Sequence, residues 1–301
     1  MDFLKLIRFP NLLMIALTQY LVRFTIITPI LSVSGMNSAL SNFDFFLLVF
    51  STVLIAAGGY IINDINDFQI DALNKPENVI VGKRIDKNLS NKIHLLLSGT
   101  GVALGCYLSF IREIPNVWMI NLLSTGLLWM YSSQFKKIIV AGNFIISFLA
   151  ALSIIIILLA DKNAYAAMAI RKLICGYTVF AFVITMIREV IKDMEDAAGD
   201  KAFGRKTIPV VMGNMFSKYY SAFLVLVILF SIAIIQYYQR QWEDKVSFIY
   251  VVLFIELPLA ALLFFLFRSK EKKDFSRLSL LAKGIMFTGI LSMLVFYLRY
   301  K

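Results

Sequence analysis

The chain has 301 residues, of which 59% are hydrophobic and only 16% are charged. Its mean hydropathy of +0.78 is too apolar for a soluble domain of this length. The net charge is +11, but the lysines and arginines fall mainly in alternate connecting segments, as the positive-inside rule describes for membrane proteins. Composition therefore excludes a soluble protein. It predicts that the chain is embedded in a lipid bilayer and that it does not bind nucleic acid.

Apolar runs of about 20 residues match the hydrocarbon core of a bilayer, which is about 30 Å thick. Nine such runs can be placed, at about residues 11–33, 43–62, 89–110, 115–133, 138–160, 169–192, 215–238, 246–267 and 279–299. We expect an all-α multi-pass membrane protein with one membrane-embedded domain, residues 1–301. Spans one to four and five to eight form two predicted repeats, followed by one more span. The charge bias predicts a cytoplasmic N-terminus and an outside C-terminus, in the cell membrane if the source is prokaryotic.

The first predicted span carries Arg23 in an otherwise apolar run. A charge at that depth either faces a polar interior or extends its long side chain toward the membrane surface. The sequence therefore leaves two hypotheses for Arg23: contact with an anionic ligand, or snorkelling to the outer surface.

The second span ends in an acidic motif. It contains Gly58 and Gly59, whose missing side chains allow a helix or a ligand to approach closely. It then reaches one asparagine and three aspartates, Asn63, Asp64, Asp67 and Asp71. The loop that follows, residues 72–88, is long for a helical bundle and basic, and such loops often bind ligands.

A second acidic motif follows the sixth span. Arg188 and Lys192 lie in the last turns of that span, and the motif consists of Asp193, Asp196 and Asp200. Its spacing, D-x2-D-x3-D, is that of the first motif, and a basic loop again comes next. An acidic motif followed by basic residues thus occurs twice, each time at the predicted cytoplasmic end of an even-numbered span.

Cysteine and histidine offer no metal-ligand pattern. Cys106 and Cys175 lie in separate predicted spans, and His94 is the only histidine. We expect the cysteines to be small packing residues and His94 to lie at a helix end or in the core.

The spacing of each acidic motif places its three carboxylates on one face of a helix, within an arc of about 60°. Three like charges on one face are unfavourable unless cations neutralise them. All-oxygen side chains suit Mg2+, which typically binds one or two carboxylates and leaves its other positions to water and substrate phosphate. The pattern therefore predicts a Mg2+-dependent diphosphate site. Because the apolar bundle offers a slot for a hydrocarbon chain and excludes water, it also predicts transfer of a prenyl group.

The two motifs resemble those of the UbiA-type intramembrane prenyltransferases, N-D-x-x-D-x-x-x-D followed by D-x-x-D-x-x-x-D. The similarity covers nearly the whole chain. It includes three further segments, Arg8-x-Pro10-Asn11, Asn74-Lys75-Pro76, and Tyr131-Ser132-x-x-x-Lys136-Lys137 with Gly142-Asn143. Within this superfamily, residues 188–200 are most similar to the digeranylgeranylglyceryl phosphate synthase group, which prenylates geranylgeranylglyceryl phosphate in ether-lipid synthesis.

The resemblance implies a bundle of nine helices around a central cavity that opens toward the cytoplasm, with a polyprenyl diphosphate as donor. It implies metal binding by Asn63, Asp64, Asp67, Asp71, Asp193, Asp196 and Asp200, with Asp64, Asp67, Asp193 and Asp196 catalytic. It implies substrate binding by Asn11, Lys75, Lys83, Arg84, Tyr131, Lys136, Lys137, Arg188 and Lys192. One segment departs from the family pattern, because residues 77–81 replace the usual basic continuation after Asn-Lys-Pro and the bases are displaced to Lys83 and Arg84.

Two alternatives stay open at this point. An aromatic acceptor, as in quinone or haem biosynthesis, would use the same donor chemistry. A cation transporter could also carry intramembrane carboxylates in parallel repeats, although transporters place such groups near the bilayer midplane rather than at helix ends.

Overall fold

The computed structural model describes residues 2–74, 76–241 and 244–300. Within these ranges the chain is helical apart from turns, short loops and one isolated bridge between Val81 and Ile85. The predicted all-α class is therefore confirmed. Eight of the described helical segments are long and apolar enough to cross a membrane.

The helices follow the apolar runs closely. In chain order they are α1 Asp2–Leu6, α2 Phe9–Leu21, α3 Thr28–Val33, α4 Asn42–Asn74, α5 Lys87–Phe110, α6 Val117–Ser133, α7 Ala141–Ala160, α8 Lys162–Ala166, α9 Met168–Ala202, α10 Ile208–Gln241, α11 Lys245–Val251, α12 Leu257–Arg268 and α13 Lys272–Tyr300. π-Helical turns, Val22–Ile27 and Val252–Glu256, connect α2 to α3 and α11 to α12. The predicted fourth span coincides with α6, which has 17 residues and is shorter than the eight segments counted above.

The acidic motifs lie on α4 and α9, which together with α10 are the three longest described helices. Helix α4 has 33 residues and α9 has 35. At a rise of about 1.5 Å per residue each is about 50 Å long, well beyond the roughly 30 Å of a hydrocarbon core. The motifs occupy the C-terminal turns of both helices, so both acidic clusters lie at the same end of the bundle.

Each motif helix packs against the spans that precede and follow it. Helix α4 contacts α2, α5 and α6, whereas α9 contacts α7, α10 and α13, and the two motif helices also contact each other. Buried apolar side chains form three clusters. The first lies at the end of the bundle away from the motifs, the second joins α9, α10, α12 and α13, and the third surrounds the middle of α4. The second and third clusters extend to the motif end, where Met194 on α9 and Ile65 on α4 are buried beside the acidic motifs.

Close packing of α4 on α5 depends on glycines. A Cβ atom on Gly101 would lie 2.5 Å from Ile55 Cγ1, and one on Gly58 would lie 2.3 Å from Ser98 Oγ. His94 is buried on α5, and its Nδ1 lies 3.0 Å from the carbonyl oxygen of Gly58. Of the two positions expected for His94, a helix end or the core, the structure shows the core.

Arg23 occupies a different position from the two that the sequence suggested. Its side chain is 4% exposed and donates to the Leu40 carbonyl at 2.8 Å and to Asn42 Oδ1 at 3.1 Å. The guanidinium also lies 4.5 Å from the centre of the Phe45 ring. Snorkelling is therefore wrong, because the side chain is buried inside the protein. Its Nη2 has carbonyl and amide acceptors beside the start of α4, while its Nε and Nη1 have no hydrogen-bond partner among the described residues. Arg23 also lies far along the bundle from the acidic motifs.

Candidate active site

A polar cavity of about 510 Å³ lies between the C-terminal turns of α4 and α9. Helix α4 lines it with Asn63, Asp64, Asp67 and Asp71, and α9 lines it with Asp193, Asp196 and Asp200. The structure thus brings both acidic motifs to one cavity, as their equal spacing led us to expect. The helical spacing of about 100° per residue explains why each set faces the same way.

Asp67 is the most deeply buried carboxylate of the first motif, with only 2% of its surface exposed. Lys136 and Arg205 both contact its carboxylate. Lys136 Nζ also donates to Asn63 Oδ1 at 3.1 Å, and Arg205 Nη1 donates to Asp200 Oδ1 at 3.4 Å. Since a buried carboxylate is costly without a partner, these two cations are what allow Asp67 to be ionised there.

Arg205 reaches the cavity because of the way α9 ends. Gly204 adopts the left-handed conformation, with φ +68°. The amide of Arg205 donates to the Asp200 carbonyl at 2.9 Å, and the amide of Gly204 donates to the Lys201 carbonyl at 3.2 Å. This pair of bonds is the Schellman arrangement, in which a glycine turns the chain back over the last helical turn. The turn directs Arg205 toward the acidic motif instead of away from it.

The charge state of Arg205 follows from its neighbours. Burial alone would lower the pKa of its guanidinium, but the carboxylates of Asp67 and Asp200 outweigh burial and raise that pKa above its ordinary value. Arg8 behaves in the same way, because Asp64 raises its pKa against the effect of burial. Both arginines therefore remain cationic at the cavity wall.

Two further contacts fix the carboxylates. Arg8 Nη2 donates to Asp64 Oδ1 at 2.8 Å, and Asn143 Nδ2 donates to Asp193 Oδ2 at 2.8 Å. Gly142 precedes Asn143 at the start of α7, and a Cβ atom there would lie 3.3 Å from the Cα atom of Lys136. The missing side chain thus lets the first turn of α7 approach the turn that carries Lys136.

The predicted substrate-binding residues divide into three groups. The structure places Asn11, Arg84, Tyr131, Lys136, Arg188 and Lys192 on the wall of the polar cavity. Lys83 and Lys137 do not line it: Lys83 Nζ donates to the Pro76 carbonyl at 3.1 Å on an exposed loop, and Lys137 is exposed beside Lys136 in the turn Phe135–Lys137. Consecutive residues of such a turn point in different directions, so only one of the two lysines faces inward. Lys75 lies outside the described residues.

Several residues on the cavity wall were not assigned to the site from the sequence, among them Arg8, Asn143, Arg205 and Lys283. Arg8 and Asn143 belong to segments that carried the family resemblance, and Gly204 was a signal that the chain would turn back at Arg205. Lys283 lies within the last apolar run. A lone lysine in that run was the signal, because intramembrane charges usually face a polar interior.

An apolar cavity of about 280 Å³ adjoins the polar one and extends into the bundle. Its wall consists mainly of aliphatic side chains from α2, α4, α6, α7, α9 and α13. Where the two cavities meet, the same residues line both, and we call this set the neck. The neck consists of Arg8, Asn11, Asn63, Tyr131, Arg188, Glu189, Lys192 and Lys283.

The donor atoms of the polar cavity suit a hard cation. Among the described residues, no three His, Cys, Asp or Glu side chains are arranged to hold a metal ion together. Instead, Arg8, Lys136 and Arg205 neutralise the motif carboxylates. Mg2+ needs only one or two carboxylates and takes the rest of its octahedron from water and phosphate. The oxygen-rich motifs therefore fit Mg2+ once the basic side chains exchange carboxylate for phosphate partners.

Fold and site together define a multi-pass membrane protein in which an acid- and base-lined cavity leads into an apolar one. The chain belongs to the UbiA prenyltransferase family, whose sequence model matches residues 22–291. This confirms the resemblance drawn from the motifs. It also decides for a prenyltransferase and against a cation transporter.

Two curated relatives from different archaea share one description. The chain is 33% identical over 202 residues to a digeranylgeranylglyceryl phosphate synthase of Methanothermobacter thermautotrophicus, covering 66% of this chain and 67% of the relative. It is 26% identical over 252 residues to the protein of the same name from Thermococcus gammatolerans, covering 83% and 84% of the two chains.

Solved structures show the same fold. One described as digeranylgeranylglyceryl phosphate synthase in membranes superposes with a TM-score of 0.65 at 22% identity, covering 99% of this chain and 98% of the other. A UbiA homologue from Archaeoglobus fulgidus, solved with DMAPP and Mg2+ bound, gives a TM-score of 0.61 at 16% identity, covering 97% and 99%.

Proposed function

We propose that this protein transfers the geranylgeranyl group of geranylgeranyl diphosphate to geranylgeranylglyceryl phosphate in a Mg2+-dependent reaction of lipid biosynthesis. The observation that carries the proposal is the direct junction of two unlike cavities. One is lined by both acidic motifs and their basic partners, and the other by aliphatic side chains. A molecule with a diphosphate head and a long hydrocarbon tail matches both.

In this proposal the motif residues hold the metal. Asp64 and Asp67 on α4 and Asp193 and Asp196 on α9 are the catalytic carboxylates, and Asn63, Asp71 and Asp200 complete the donor set. Mg2+ would neutralise the diphosphate and so make it a better leaving group. The carboxylates come from both motif helices, so the metal would sit where α4 and α9 face each other.

We propose that the basic side chains move from the carboxylates to the phosphate oxygens when the donor binds. Lys136 and Arg205 contact Asp67 in the structure, and the same donors can reach phosphate oxygens beside it. Charge-assisted hydrogen bonds of this kind are about twice as strong as neutral ones. Exchange of partners would therefore free the carboxylate for metal at the moment when the donor supplies negative charge.

The apolar cavity is proposed to hold the prenyl chain. Its aliphatic wall excludes water, which would otherwise capture an allylic carbocation as the diphosphate leaves. The reacting carbon would then lie at the neck, between the leaving group and the tail. An acceptor hydroxyl must also reach the neck, so the neck is where donor and acceptor meet.

Support for the acceptor comes from the relatives named above, whose shared description specifies a digeranylgeranylglyceryl phosphate product. An aromatic acceptor is the alternative that the sequence left open. The cavity wall does not argue for that alternative: Tyr131 is the only aromatic side chain among the neck residues, and Tyr60 on the apolar wall lies against the Arg8 guanidinium, 4.9 Å away. We therefore place the lipid acceptor first.

The test is a turnover assay on the full chain purified in detergent. Geranylgeranyl diphosphate is supplied with geranylgeranylglyceryl phosphate or with an aromatic acceptor, and both diphosphate release and product mass are measured. We expect the lipid product only, and only with Mg2+. Asp64→Ala and Asp196→Ala should each lower turnover on the order of 100-fold or more, because each removes charge stabilisation worth about 3 kcal/mol.

Glu271→Gln is the matched control, because Glu271 is an exposed acid that lines neither cavity. Its turnover should equal that of the natural protein. Metal-independent product, or unchanged turnover in both aspartate variants, would overturn the proposal. Prenylation of the aromatic acceptor alone would keep the reaction class and replace the acceptor.

A further inference from the structure

The neck carries four basic side chains from three separate parts of the chain. Arg8 precedes α2, Arg188 and Lys192 lie one helical turn apart on α9, and Lys283 comes from α13. All four line both cavities. Lys283 lies within electrostatic reach of the other three. Positive charge is therefore concentrated where the polar cavity opens into the apolar one.

Acidic side chains balance only part of this charge. Arg8 pairs with Asp64 at 2.8 Å, and Arg188 pairs with its neighbour Glu189. Within the described ranges Lys192 forms no ion pair, and Lys283 reaches only Asn11 Oδ1, at 3.5 Å. The Nε atom of Arg188 is also buried without a hydrogen-bond partner. Glu189 lies within electrostatic range of both lysines, and Asp71 and Asp193 within range of Lys192. No carboxylate lies within ion-pair distance of either ammonium group in the described part of the chain, so both, with one guanidinium edge, can still contact an anion.

These cations are distinct from those beside the carboxylates. Lys136 and Arg205 line only the polar cavity and are engaged with Asp67 and Asp200. The neck cations border the apolar cavity as well. Like charges beside an apolar wall repel each other and are poorly solvated, so such a cluster is stable when an anion joins it. The site therefore offers two separate places for anionic groups.

We propose that Arg188, Lys192 and Lys283 form a second anion site that binds the phosphomonoester of the acceptor, with Lys283 as a specificity-determining residue. This inference rests on the proposed prenyl transfer, in which the first anion is the diphosphate of the donor. An acceptor phosphate at the neck would hold its glycerol hydroxyl beside the reacting carbon. Guanidinium and ammonium groups are the usual partners of phosphate oxygens.

The test compares Lys283→Met with the natural protein on two acceptors, geranylgeranylglyceryl phosphate and the same lipid without its phosphate. We expect the variant to raise KM for the phosphorylated acceptor about 10- to 100-fold, as loss of a charged hydrogen bond does. KM for geranylgeranyl diphosphate should not change. The natural protein and the variant should use the dephosphorylated acceptor equally poorly, because that lipid has no phosphate for Lys283 to contact.

Two variants serve as controls. Lys283→Arg keeps the charge and should retain most of the affinity for the phosphorylated acceptor. Lys273→Met removes an exposed lysine in the first turn of the same helix. Because Lys273 lines neither cavity, this variant should leave both KM values unchanged.

Other results would overturn the inference. If Lys283→Met raised KM for the donor instead, the neck cations would serve the diphosphate. If it weakened both acceptors alike, its role would be structural. Equilibrium binding of the two acceptor lipids, measured without donor, separates this inference from the proposed function. Equal affinity for both lipids refutes the second anion site, whereas absence of turnover with every acceptor refutes the prenyl transfer.

Discussion

Arg205 connects the two acidic motifs, because its guanidinium contacts Asp67 on α4 and Asp200 on α9. Without ligand, this guanidinium neutralises the carboxylates. With ligand bound, a metal ion would take over that role. If the motif carboxylates hold the metal as proposed, guanidinium and metal would compete for the same carboxylate oxygens. This competition makes a measurable prediction at the scale of one residue.

Arg205→Met should make the protein less stable without metal and more dependent on it. Loss of the guanidinium leaves buried Asp67 with one cation fewer, at a cost of about 1–3 kcal/mol. Metal that binds the folded state raises stability with the logarithm of one plus its free concentration over its Kd, and the variant removes its competitor. The thermal unfolding midpoint of the detergent-purified variant should thus fall without Mg2+ and rise more than that of the natural protein when Mg2+ is added.

The adjacent exposed lysine provides the matched control for Arg205. Lys206→Met removes one positive charge from the same loop without touching either motif. Its midpoint should respond to Mg2+ as the natural protein does. An equal response of Arg205→Met and Lys206→Met would show that guanidinium and metal do not share a site.

The sequence predicted the acids better than the bases, and the reason is geometric. Asp64, Asp67 and Asp71 share one face of a single helix, so their spacing alone sets their direction. Lys136 and Lys137 lie in a short turn, where nothing in the spacing shows which of them faces inward. Lys283 is brought to the site by the packing of α13 against α9, a long-range contact that local pattern does not contain.

At the scale of elements, the helices themselves followed from apolar periodicity, whereas their contacts depend on individual glycines. Two of the three glycines in helix α5 differ sharply in their surroundings. A Cβ atom on Gly101 would lie 3.0 Å from the backbone oxygen of Ser51 and 2.5 Å from Ile55 Cγ1, but one on Gly99 would meet nothing within 4 Å. Alanine substitutions at Gly99 and Gly101 therefore distinguish the effect of helix propensity on stability from the effect of helix packing.

Gly101→Ala should destabilise the protein by about 1–3 kcal/mol, because the added methyl group forces α5 away from α4. Gly99→Ala should instead be neutral or stabilising by up to about 1 kcal/mol, since alanine is the better helix former. Thermal unfolding of both variants in the same detergent measures the difference. Equal midpoints would mean that the two helices do not pack as closely as the structure shows.

At the scale of the whole molecule, each motif helix sits between its own two sequence neighbours. Helix α4 contacts α2 and α5, and α9 contacts α7 and α10. An even number of crossings separates α4 from α9, so both motifs reach the same end of the bundle, as parallel repeats require. The common direction of α4 and α9 thus allows both motifs to line one cavity, as the predicted repeat would require. The side of the membrane on which the cavity lies is a separate question. The distribution of basic residues bears on it.

Basic residues are concentrated in the connections at the motif end of the bundle. With the adjoining helix ends they include Lys5, Arg8, Lys83, Arg84, Lys87, Lys136, Lys137, Lys201, Arg205, Lys206, Arg268, Lys270, Lys272 and Lys273, whereas those at the other end include Arg112, Lys162, Arg171, Lys172, Arg240 and Lys245. Since such a bias marks the cytoplasmic side, we propose that the motifs and the N-terminus face the cytoplasm. Lys83, which follows α4, and Met36, which precedes it, lie at opposite ends of that helix and are both exposed.

The two positions provide a direct test of orientation. In a chain carrying Cys106→Ser and Cys175→Ser, which removes both native thiols, Met36→Cys should react with a membrane-impermeant maleimide in intact bacterial cells. Lys83→Cys should react only after the membrane is permeabilised, because its loop lies on the inner side. The doubly substituted parent without a new cysteine is the blank. Labelling of Lys83→Cys alone in intact cells would place the acidic cavity outside, where the cytoplasmic pool of prenyl diphosphate could not reach it.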